Sequence, residues 1–382
     1  MIRRLRLGMV GGGQGAFIGA VHRIAARLDD QYELVAGALS SDAGRAKASA
    51  AELGIARSYA DWREMAKVEA ARDDGIDVVA IVTPNHLHAP VATAFLEAGI
   101  HVICDKPLAI SLAQAQALAK LAREKQRLFA LTHTYSGYPL VRHARELVES
   151  GEIGEVRVVQ VEYAQDWLAE PVERAGTNKQ AGWRTDPAQS GPAGCLGDIG
   201  THAYHLAAFV TGMTPESLSA ELHTFVPGRR VDDHVQAMLR YANGARGMLW
   251  ASQVASGAEN ALRLRVYGTK AGLAFDQENP NELWFTPLGG ASVRFTRARV
   301  TSAVAAHATR VPPGHPEGYL EAFAQLYRDA ALQIEALDAG RPIPPESRLL
   351  TTVDDGVAGM RFIDAVLKSS ANNAGFQEVQ NG

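Results

Sequence analysis

Strand-like and helical segments alternate over residues 1–133, and this alternation constrains the fold more than any other feature of the sequence. Parallel strands need long crossover connections, usually helices, whereas antiparallel strands can be joined by tight turns. A regular strand–helix alternation is therefore typical of a parallel sheet with helices on both faces. The strands are predicted at residues 5–10, 32–39, 76–83, 101–104 and 128–133.

Residues 134–382 have a different pattern, in which β-rich runs follow one another without helices between them. Runs joined by short Gly-containing turns indicate antiparallel hairpins. We therefore predict a second α/β domain over 134–382 with a large, mostly antiparallel open sheet, whose C-terminal helices are free to pack back on the first domain. The β-rich runs are residues 155–167, 234–254 with a turn at Asn243-Gly244, and 262–276 with a turn at Gly268, and the helices are predicted at 316–338 and 353–370.

One polar segment, residues 170–194, is rich in Gly and Pro and shows no helix or strand pattern. We predict a long loop without regular structure. Loops of this length inside a compact chain are usually functional or disordered. Its position in the second domain makes it a candidate lid over a binding site.

Composition limits the possible functions. The chain has 382 residues and a formal net charge of -4, which gives no basic surface for nucleic acid. Its two cysteines, Cys104 and Cys195, are too few for a disulfide framework and favour a reducing compartment. The basic start with its apolar stretch is interrupted by glycines, so we interpret it as a first strand rather than a signal peptide. Without an apolar run of membrane-spanning length, we expect a cytoplasmic protein.

The segment GMVGGGQGAFIG follows the first predicted strand and precedes a helix. Gly11-x-Gly13-x-x-Ala16 fits the dinucleotide-binding fingerprint, in which glycines let the backbone approach a pyrophosphate at a helix N-terminus. The alternative is a flexible loop that binds nothing. The position after the first strand favours a Rossmann dinucleotide-binding domain over 1–133. The candidate contacts in this turn are Gly11, Gly13, Gln14, Ala16, Phe17 and Ile18.

The end of the second predicted strand bears on the choice of cofactor. NAD-binding Rossmann units usually carry an acidic residue there, on the ribose hydroxyls. Here Ser40 and Ser41 occupy the expected positions and Asp42 follows slightly late. Ser40, Ser41 and Arg45 could accept a 2′-phosphate, whereas Asp42 would oppose one or would only cap the next helix. NAD is favoured as the cofactor and NADP stays open.

Two further motifs carry candidate chemical groups. Asp105 and Lys106 follow the strand at 101–104, at the sheet edge where open α/β sheets bind ligands; the alternative is an ordinary surface ion pair. In CLGDIGTHAYH, Asp198 and His202 are four residues apart and share one helix face. That spacing alone fits a metal site, an acid–base pair or a plain helix start.

The glycine turn, TPNHLHAPVA (83–92), CDKPLA (104–109), GCLGDIGTHAYHL (194–206) and VYGTKAGL (266–273) occur in this order along the chain. Together they resemble the Gfo/Idh/MocA oxidoreductases, which include inositol and sugar dehydrogenases. The resemblance implies a Rossmann domain followed by an α/β domain whose open sheet mediates a homo-oligomer, a dimer or tetramer. It also implies hydride transfer between a nicotinamide and a ring carbon that bears a hydroxyl.

The resemblance also implies roles for three residues. Lys106 matches the lysine of the family's Glu-Lys-Pro motif, and Asp198 and His202 match its Asp-x-x-x-His pair. A neutral imidazole can take the hydroxyl proton as hydride leaves the carbon. A carboxylate can orient that imidazole, and an ammonium can steady negative charge on the oxygen. A metal site is the weaker reading, because no convincing third and fourth ligands are present.

Some positions depart from the family pattern. Asp105 stands in place of the usual glutamate, and His205 stands where an aspartate is common. We interpret His205 as a core or helix-surface residue. The glycine turn is about three residues longer than the common form, which makes Gly19 an alternative third glycine. In TPNHLHAP, Thr83, Pro84, Asn85 and His88 are candidate contacts to the nicotinamide side of the cofactor, with Asn85 alternatively a helix cap and His86 exposed. Asp105 and Lys106 are candidate cofactor contacts as well.

A polyol pocket needs convergent hydrogen-bonding groups and often an aromatic face. For several candidates a structural role is equally open: Tyr163 and Trp167 as core or interface aromatics, Arg184 as a partner of Asp186. His315 could equally be no more than a helix start. Besides the three residues above, the substrate candidates are His133, Tyr135, Tyr163, Asp166, Trp167, Asn178, Lys179, Trp183, Arg184 and His315.

Three functions fit these features. The first is an NAD(P)-dependent dehydrogenase of a cyclic polyol, sugar or glycoside. The second is an enzyme that keeps its cofactor bound, either an oxidoreductase between two sugars or an NAD-dependent glycosidase. The third is a regulatory protein that senses the dinucleotide without catalysis, and the presence of Lys106, Asp198 and His202 argues against it.

Overall fold

A computed structural model describes residues 3–176 and 178–379. The described residues form two compact units. The first contains the chain up to Gly137 together with Tyr319–Val357, and the second contains Tyr138–Gly318 and the chain from Ala358 onward. The domain boundary between residues 133 and 134 stays a prediction. In the described part of the chain, no helix has the length and apolar character needed to cross a membrane.

A parallel sheet of six strands, counted over the described residues, forms the centre of the first unit, in the order β3-β2-β1-β4-β5-β6. The chain turns back between β1 and β4, which is where doubly wound sheets bind ligands at their carboxyl ends. The five predicted strands are present, and the sequence pattern missed only the two-residue β3. The strands are β1 Leu5–Gly11, β2 Tyr32–Ala38, β3 Arg57–Ser58, β4 Val78–Val82, β5 His101–Cys104 and β6 Phe129–Leu131.

The helices of the first unit begin at residues that can bind free backbone N–H groups. Asp42 accepts from the Arg45 amide and Ser111 accepts from the Gln114 amide, as their side chains predict. Gln114 completes a variant capping box, because its side chain accepts from the Ile110 amide rather than from Ser111. The helices are α1 Phe17–Leu28, α2 Ala43–Glu52, α3 Trp62–Ala70, α4 His88–Glu97, α5 Leu112–Glu124 and α11 Tyr319–Asp338, with α12 Val353–Ala371 beginning in this unit.

A second sheet has nine strands within the described residues, in the order β14-β13-β12-β11-β7-β10-β9-β8-β15. Every neighbouring pair is antiparallel except β7 with β10. The predicted fold class, a Rossmann sheet plus a mostly antiparallel α/β domain, is therefore confirmed. The strands are β7 Val156–Ala164, β8 Ser217–His223, β9 His234–Arg240, β10 Arg246–Ser252, β11 Ala261–Gly268, β12 Ala271–Asp276, β13 Glu282–Pro287, β14 Val293–Thr296 and β15 Gln377–Glu378.

The two faces of this sheet differ. Helix α9 Thr201–Thr211 packs against β7, β10 and β11. The opposite face carries exposed apolar side chains, and cross-strand pairing places them on one side because paired residues share a face. These are Val158, Met238, Met248, Tyr267 and Trp284. The remaining helices of the second unit are α6 Pro139–Glu149, α7 Lys179–Arg184, α8 Pro187–Ser190 and α10 Ala303–His307.

The prediction that residues 170–194 lack regular structure is wrong. The segment contains a single helical turn at Val172–Ala175 and the short helices α7 and α8. Asn178 accepts from the amides of Gln180 and Ala181, and Asp186 accepts from the Ala188 amide. These caps start helices that are too short to show an apolar period in the sequence.

Candidate functional site

The glycine turn is shaped by close backbone approaches. Gly11 has φ +81°, a left-handed conformation that glycine adopts without strain. A Cβ on Gly19 would lie 2.4 Å from the Gly12 Cα, so α1 crosses the turn where only glycine fits. Gly19 therefore has the helix-packing role of the third fingerprint glycine, and Ala16 precedes the helix as its N-cap.

The N-terminus of α1 is suited to an anion. Ala16 has no side-chain acceptor, so no side chain caps the helix, and the first-turn N–H groups stay available to a pyrophosphate. Phe17, next to it, is 67% exposed. Gln14 donates from its side chain to Glu52 on α2 and from its backbone to Ser49, which fixes the turn. The residues present thus fit a bound dinucleotide.

Other predicted cofactor residues have identifiable contacts. Ile18 is partly buried and packs on the apolar core of the first unit. At the end of β2, Ser40 accepts from the Asp42 amide, and Asp42 caps α2, which is one of the roles expected for it. Arg23 of α1, which sequence reasoning missed, donates to the carbonyl of Gly12 at 2.7 Å. Ser41 and Arg45 are exposed at this edge.

His88 joins two loops at the carboxyl edge of the first sheet. It is buried, and its ring nitrogens lie 2.7 Å from the carbonyl oxygen of Pro107 and 2.9 Å from that of Thr83. Burial lowers the pKa of His88. The ring thus ties the turn at Thr83 and Pro84 to the segment that carries Lys106. Asn85 is buried, but it is not the N-cap of α4, because Leu87 occupies the N-cap position and makes no side-chain cap.

Asp105 is directed into the first unit. It accepts from the Thr132 hydroxyl at 2.7 Å, and its carboxylate lies 3.9 Å from Nε2 of the buried His22. Burial alone would raise the pKa of Asp105, but His22, Lys106 and Thr132 hold it well below its usual range. His22 in turn lies 2.8 Å from the Tyr327 hydroxyl of α11. This charged residue supports the backbone just before Lys106, which follows the carboxyl end of β5.

In the second unit, Asp198 lies in a π-helical turn, Leu196–Gly200, that continues into α9. Such turns occur frequently at functional sites. The Gln253 side chain donates to the Asp198 carboxylate at 2.8 Å, and the Arg184 guanidinium is 3.3 Å from the same oxygen. His202 follows on α9, with its ring centroid 6.3 Å from that of Tyr163.

Several substrate candidates of the second unit are brought together here. Arg184 lies over the ring of Trp183 at 4.2 Å and near that of Trp167 at 5.9 Å. The expected alternative partner of Arg184, Asp186, pairs instead with Arg230. Tyr163 is buried and donates to Asn260, so it also has a structural role.

The other candidates are placed as follows. Asp166 accepts from the Gly257 amide, and Lys179 is exposed at the start of α7. Asn178 caps that helix. His315 is exposed in a loop held by Arg297, which donates to its carbonyl. His133 and Tyr135 belong to the first unit and are buried after β6, and His205 is buried in α9.

Sequence reasoning missed Gln253, the residue that donates to Asp198. It is 2% exposed and follows β10, 55 positions after its partner. No local motif marks it, because the contact forms only when β10 and the π-helical turn are brought together. A buried glutamine next to a strand end is the one weak signal, since buried amides need hydrogen-bond partners.

Comparisons with known proteins identify the family of this chain. Residues 5–133 match the model of an oxidoreductase family with an NAD-binding Rossmann fold, and residues 141–274 match the GFO/IDH/MocA C-terminal domain. A solved oxidoreductase from Sinorhizobium meliloti is 52% identical, with a TM-score of 0.88 over 98% of this chain and 100% of that one.

Two further relatives have more specific names. An inositol dehydrogenase homolog from Azotobacter vinelandii, solved with NADH and myo-inositol, is 32% identical with a TM-score of 0.91, over 99% of this chain and 98% of that one. Levoglucosan dehydrogenase of Pseudarthrobacter phenanthrenivorans is 29% identical over 98% of each chain. The predicted NAD-binding Rossmann domain and the predicted family are confirmed, and this chain belongs to the Gfo/Idh/MocA family of oxidoreductases.

Proposed function

We propose that this oxidoreductase transfers hydride between NAD and a ring carbon bearing a secondary hydroxyl of a cyclic polyol, sugar or glycoside. The observation that carries the proposal is the position of Lys106, two residues after the end of β5, at the carboxyl edge that also holds the glycine turn and Thr83. Relatives named for inositol and levoglucosan support the substrate class.

The proposed chemistry follows from the residue types. NAD, when bound, supplies the hydride acceptor of the oxidation. Lys106 donates a hydrogen bond to the substrate hydroxyl oxygen and steadies the negative charge that develops on it. His202 accepts the hydroxyl proton as general base, because an imidazole titrates near neutral pH.

Asp198 completes the proposed set by stabilising the protonated His202. One oxygen of its carboxylate accepts from the Gln253 side chain at 2.8 Å and lies 3.3 Å from the Arg184 guanidinium, which fixes the orientation of the carboxylate. Trp167, Trp183 and Arg184 offer the flat and polar surfaces that a sugar ring needs.

The proposal includes a homo-oligomer. The open face of the second sheet exposes Val158, Met238, Met248, Tyr267 and Trp284, with Met238 58% exposed. A patch of this kind is typical of a protein interface. We also propose a cytoplasmic location, which suits two free, buried cysteines.

The test is nicotinamide absorbance with NAD and NADP, each offered with inositols, aldoses and glycosides. Lys106→Ala should lower turnover about 10²- to 10³-fold, the usual effect of losing one donor to a developing oxyanion, while the Kd for NAD stays within about twofold. Lys120→Ala is the matched control, because Lys120 is 75% exposed and pairs with Glu124 on the surface of α5.

Two results would contradict the proposal. Unchanged turnover in Lys106→Ala would remove Lys106 from the site. If the wild-type protein binds NAD by calorimetry but turns over none of the compounds, it is not a polyol or sugar dehydrogenase.

A further inference from the structure

Two adjacent acidic residues, Asp232 and Asp233, lie in the loop between β8 and β9, in the second unit. Asp232 is 7% exposed and Asp233 is fully buried. Buried carboxylates are costly unless they are hydrogen-bonded or paired. Neither residue belongs to the proposed catalytic set, so the reason for two buried carboxylates at this place has to be sought in their contacts.

Asp232 binds three consecutive backbone amides. Its two carboxylate oxygens accept from the amides of Gly194 at 2.6 Å and Leu196 at 2.7 Å. Its backbone carbonyl accepts from the Cys195 amide at 2.8 Å. The first amides of a helix have no partner inside the helix, and a carboxylate is a favourable acceptor at that end. Asp232 therefore fixes the start of the turn that carries Asp198 two residues later.

The same loop also reaches the Asp198 side chain. The backbone amide of Gln253 donates to the Asp233 carbonyl at 2.9 Å. The side chain of Gln253 then donates to the Asp198 carboxylate at 2.8 Å. One dipeptide thus holds the backbone of the Asp198 turn directly and its carboxylate through one intermediate residue.

Asp233 makes this loop a firm support. Its carboxylate accepts from the amides of Phe225 and Val226, and from Arg229 at 3.1 Å. Arg229 is 9% exposed and donates in turn to the carbonyl of Leu168. The loop is therefore tied to the chain on both sides, and its position does not depend on Asp232 alone.

We propose that Asp232 is a positioning residue, which holds the turn bearing Asp198, and with it the start of α9 that bears His202, in the geometry that proton transfer requires. The inference rests on the proposed function for its chemical consequence. Its structural content, the fixing of residues 194–202, stands on the contacts above. An asparagine at 232 would keep the size of the side chain but turn one acceptor into a donor that faces a backbone N–H.

The experiment compares Asp232→Asn with the wild-type protein in turnover, NAD affinity and hydrogen–deuterium exchange. Asp232→Asn should lower kcat about 10- to 100-fold, the scale expected of a small displacement of catalytic groups, with the Kd for NAD unchanged. Exchange should rise in residues 194–202. Asp77→Asn is the matched control. Asp77 directly precedes β4 in the first unit, and its carboxylate likewise accepts from a backbone amide, that of Arg6 at 2.7 Å. This variant should have the kcat of the wild-type protein and the same exchange in residues 194–202.

Each outcome decides one point. A purely structural Asp232 would lower the melting temperature while leaving kcat of the folded protein unchanged, and that result would overturn the inference. Unchanged exchange in 194–202 would overturn it even if the wild-type protein had no turnover, whereas absent wild-type turnover alone would refute only the proposed function. If Asp232→Asn does not purify folded, Asp232→Glu, which displaces the carboxylate by one methylene, carries the same expectations.

Discussion

Gly19→Ala tests the glycine turn most directly. The added Cβ would lie 2.4 Å from the Gly12 Cα and 2.5 Å from the Gly12 oxygen, and both are backbone atoms that no side-chain rotation can move aside. Overpacking of this kind costs about 1–3 kcal/mol, and contacts this short belong to the upper end of that range. Alanine regains about 1 kcal/mol of helix propensity relative to glycine. The expected net loss of stability is about 2 kcal/mol.

The control for this prediction is Gly359→Ala. Gly359 also lies within a helix, α12, but its added Cβ would meet no atom within 4 Å. Only the propensity gain applies there, so the control should gain about 1 kcal/mol. Thermal unfolding should separate the two variants by about 3 kcal/mol in free energy.

NAD affinity gives the second readout for Gly19→Ala. The strain is relieved if the glycine turn moves away from α1, and the N–H groups that would bind the pyrophosphate then move with it. If binding of NAD loses about 1–2 kcal/mol of free energy, the Kd for NAD measured by calorimetry should rise about 5- to 30-fold. A variant with wild-type stability and wild-type Kd would refute the assignment of Gly19 as the packing glycine.

Two further predictions concern the second unit. The Arg184 guanidinium, 3.3 Å from Asp198, offsets the negative charge beside the proposed base, and Arg184→Ala removes that offset. The proposed base should then hold its proton to higher pH, so the acid limb of the kcat/KM profile should move to higher pH. An unmoved limb would contradict the pairing of Arg184 with Asp198. Burial raises the pKa of the Asp232 carboxyl from 3.8 to about 6, although the hydrogen bonds from the Leu196 and Gly194 amides act to lower it. Between about pH 4 and 6 the folded protein therefore holds a proton on Asp232 that the unfolded chain releases. The free energy of unfolding of the wild-type protein should thus fall by about 3 kcal/mol as pH rises from about 4 to above 6. Denaturant unfolding of Asp232→Asn should lack this part of the fall.

Local sequence rules predicted the parts of the structure that depend on neighbouring residues. The caps at Asp42 and Ser111 follow from side chains that reach amides three positions away. The alternation of strands and helices likewise predicts the first sheet. Helix α7 has six residues and α8 has four, too few for an apolar period to appear, so the pattern missed both.

Long-range contacts could not be predicted in this way. Gln253 meets Asp198 across 55 positions, and the Asp232 carboxylate meets the Gly194 amide across 38. Nothing in either local sequence distinguishes these residues from other buried polar groups. The resemblance to a family identified the candidate acid–base residues, whereas the residues that hold them in place became visible only through the fold.

The residues that shape the glycine turn and those that hold the proposed acid–base residues lie in separate parts of the chain. Gly19 and Arg23 shape the glycine turn in the first unit, and Asp232 and Gln253 hold Asp198 in the second. Gly19 and Asp232 have no hydrogen-bond partner in common among the described residues, and the effects of substitutions at sites without shared partners usually add within about 0.5 kcal/mol. In the double variant Gly19→Ala with Asp232→Asn, the losses in log kcat/KM should therefore sum to the single losses within about 0.4 log units. A larger deviation would mean that the glycine turn and the Asp198 turn are energetically coupled.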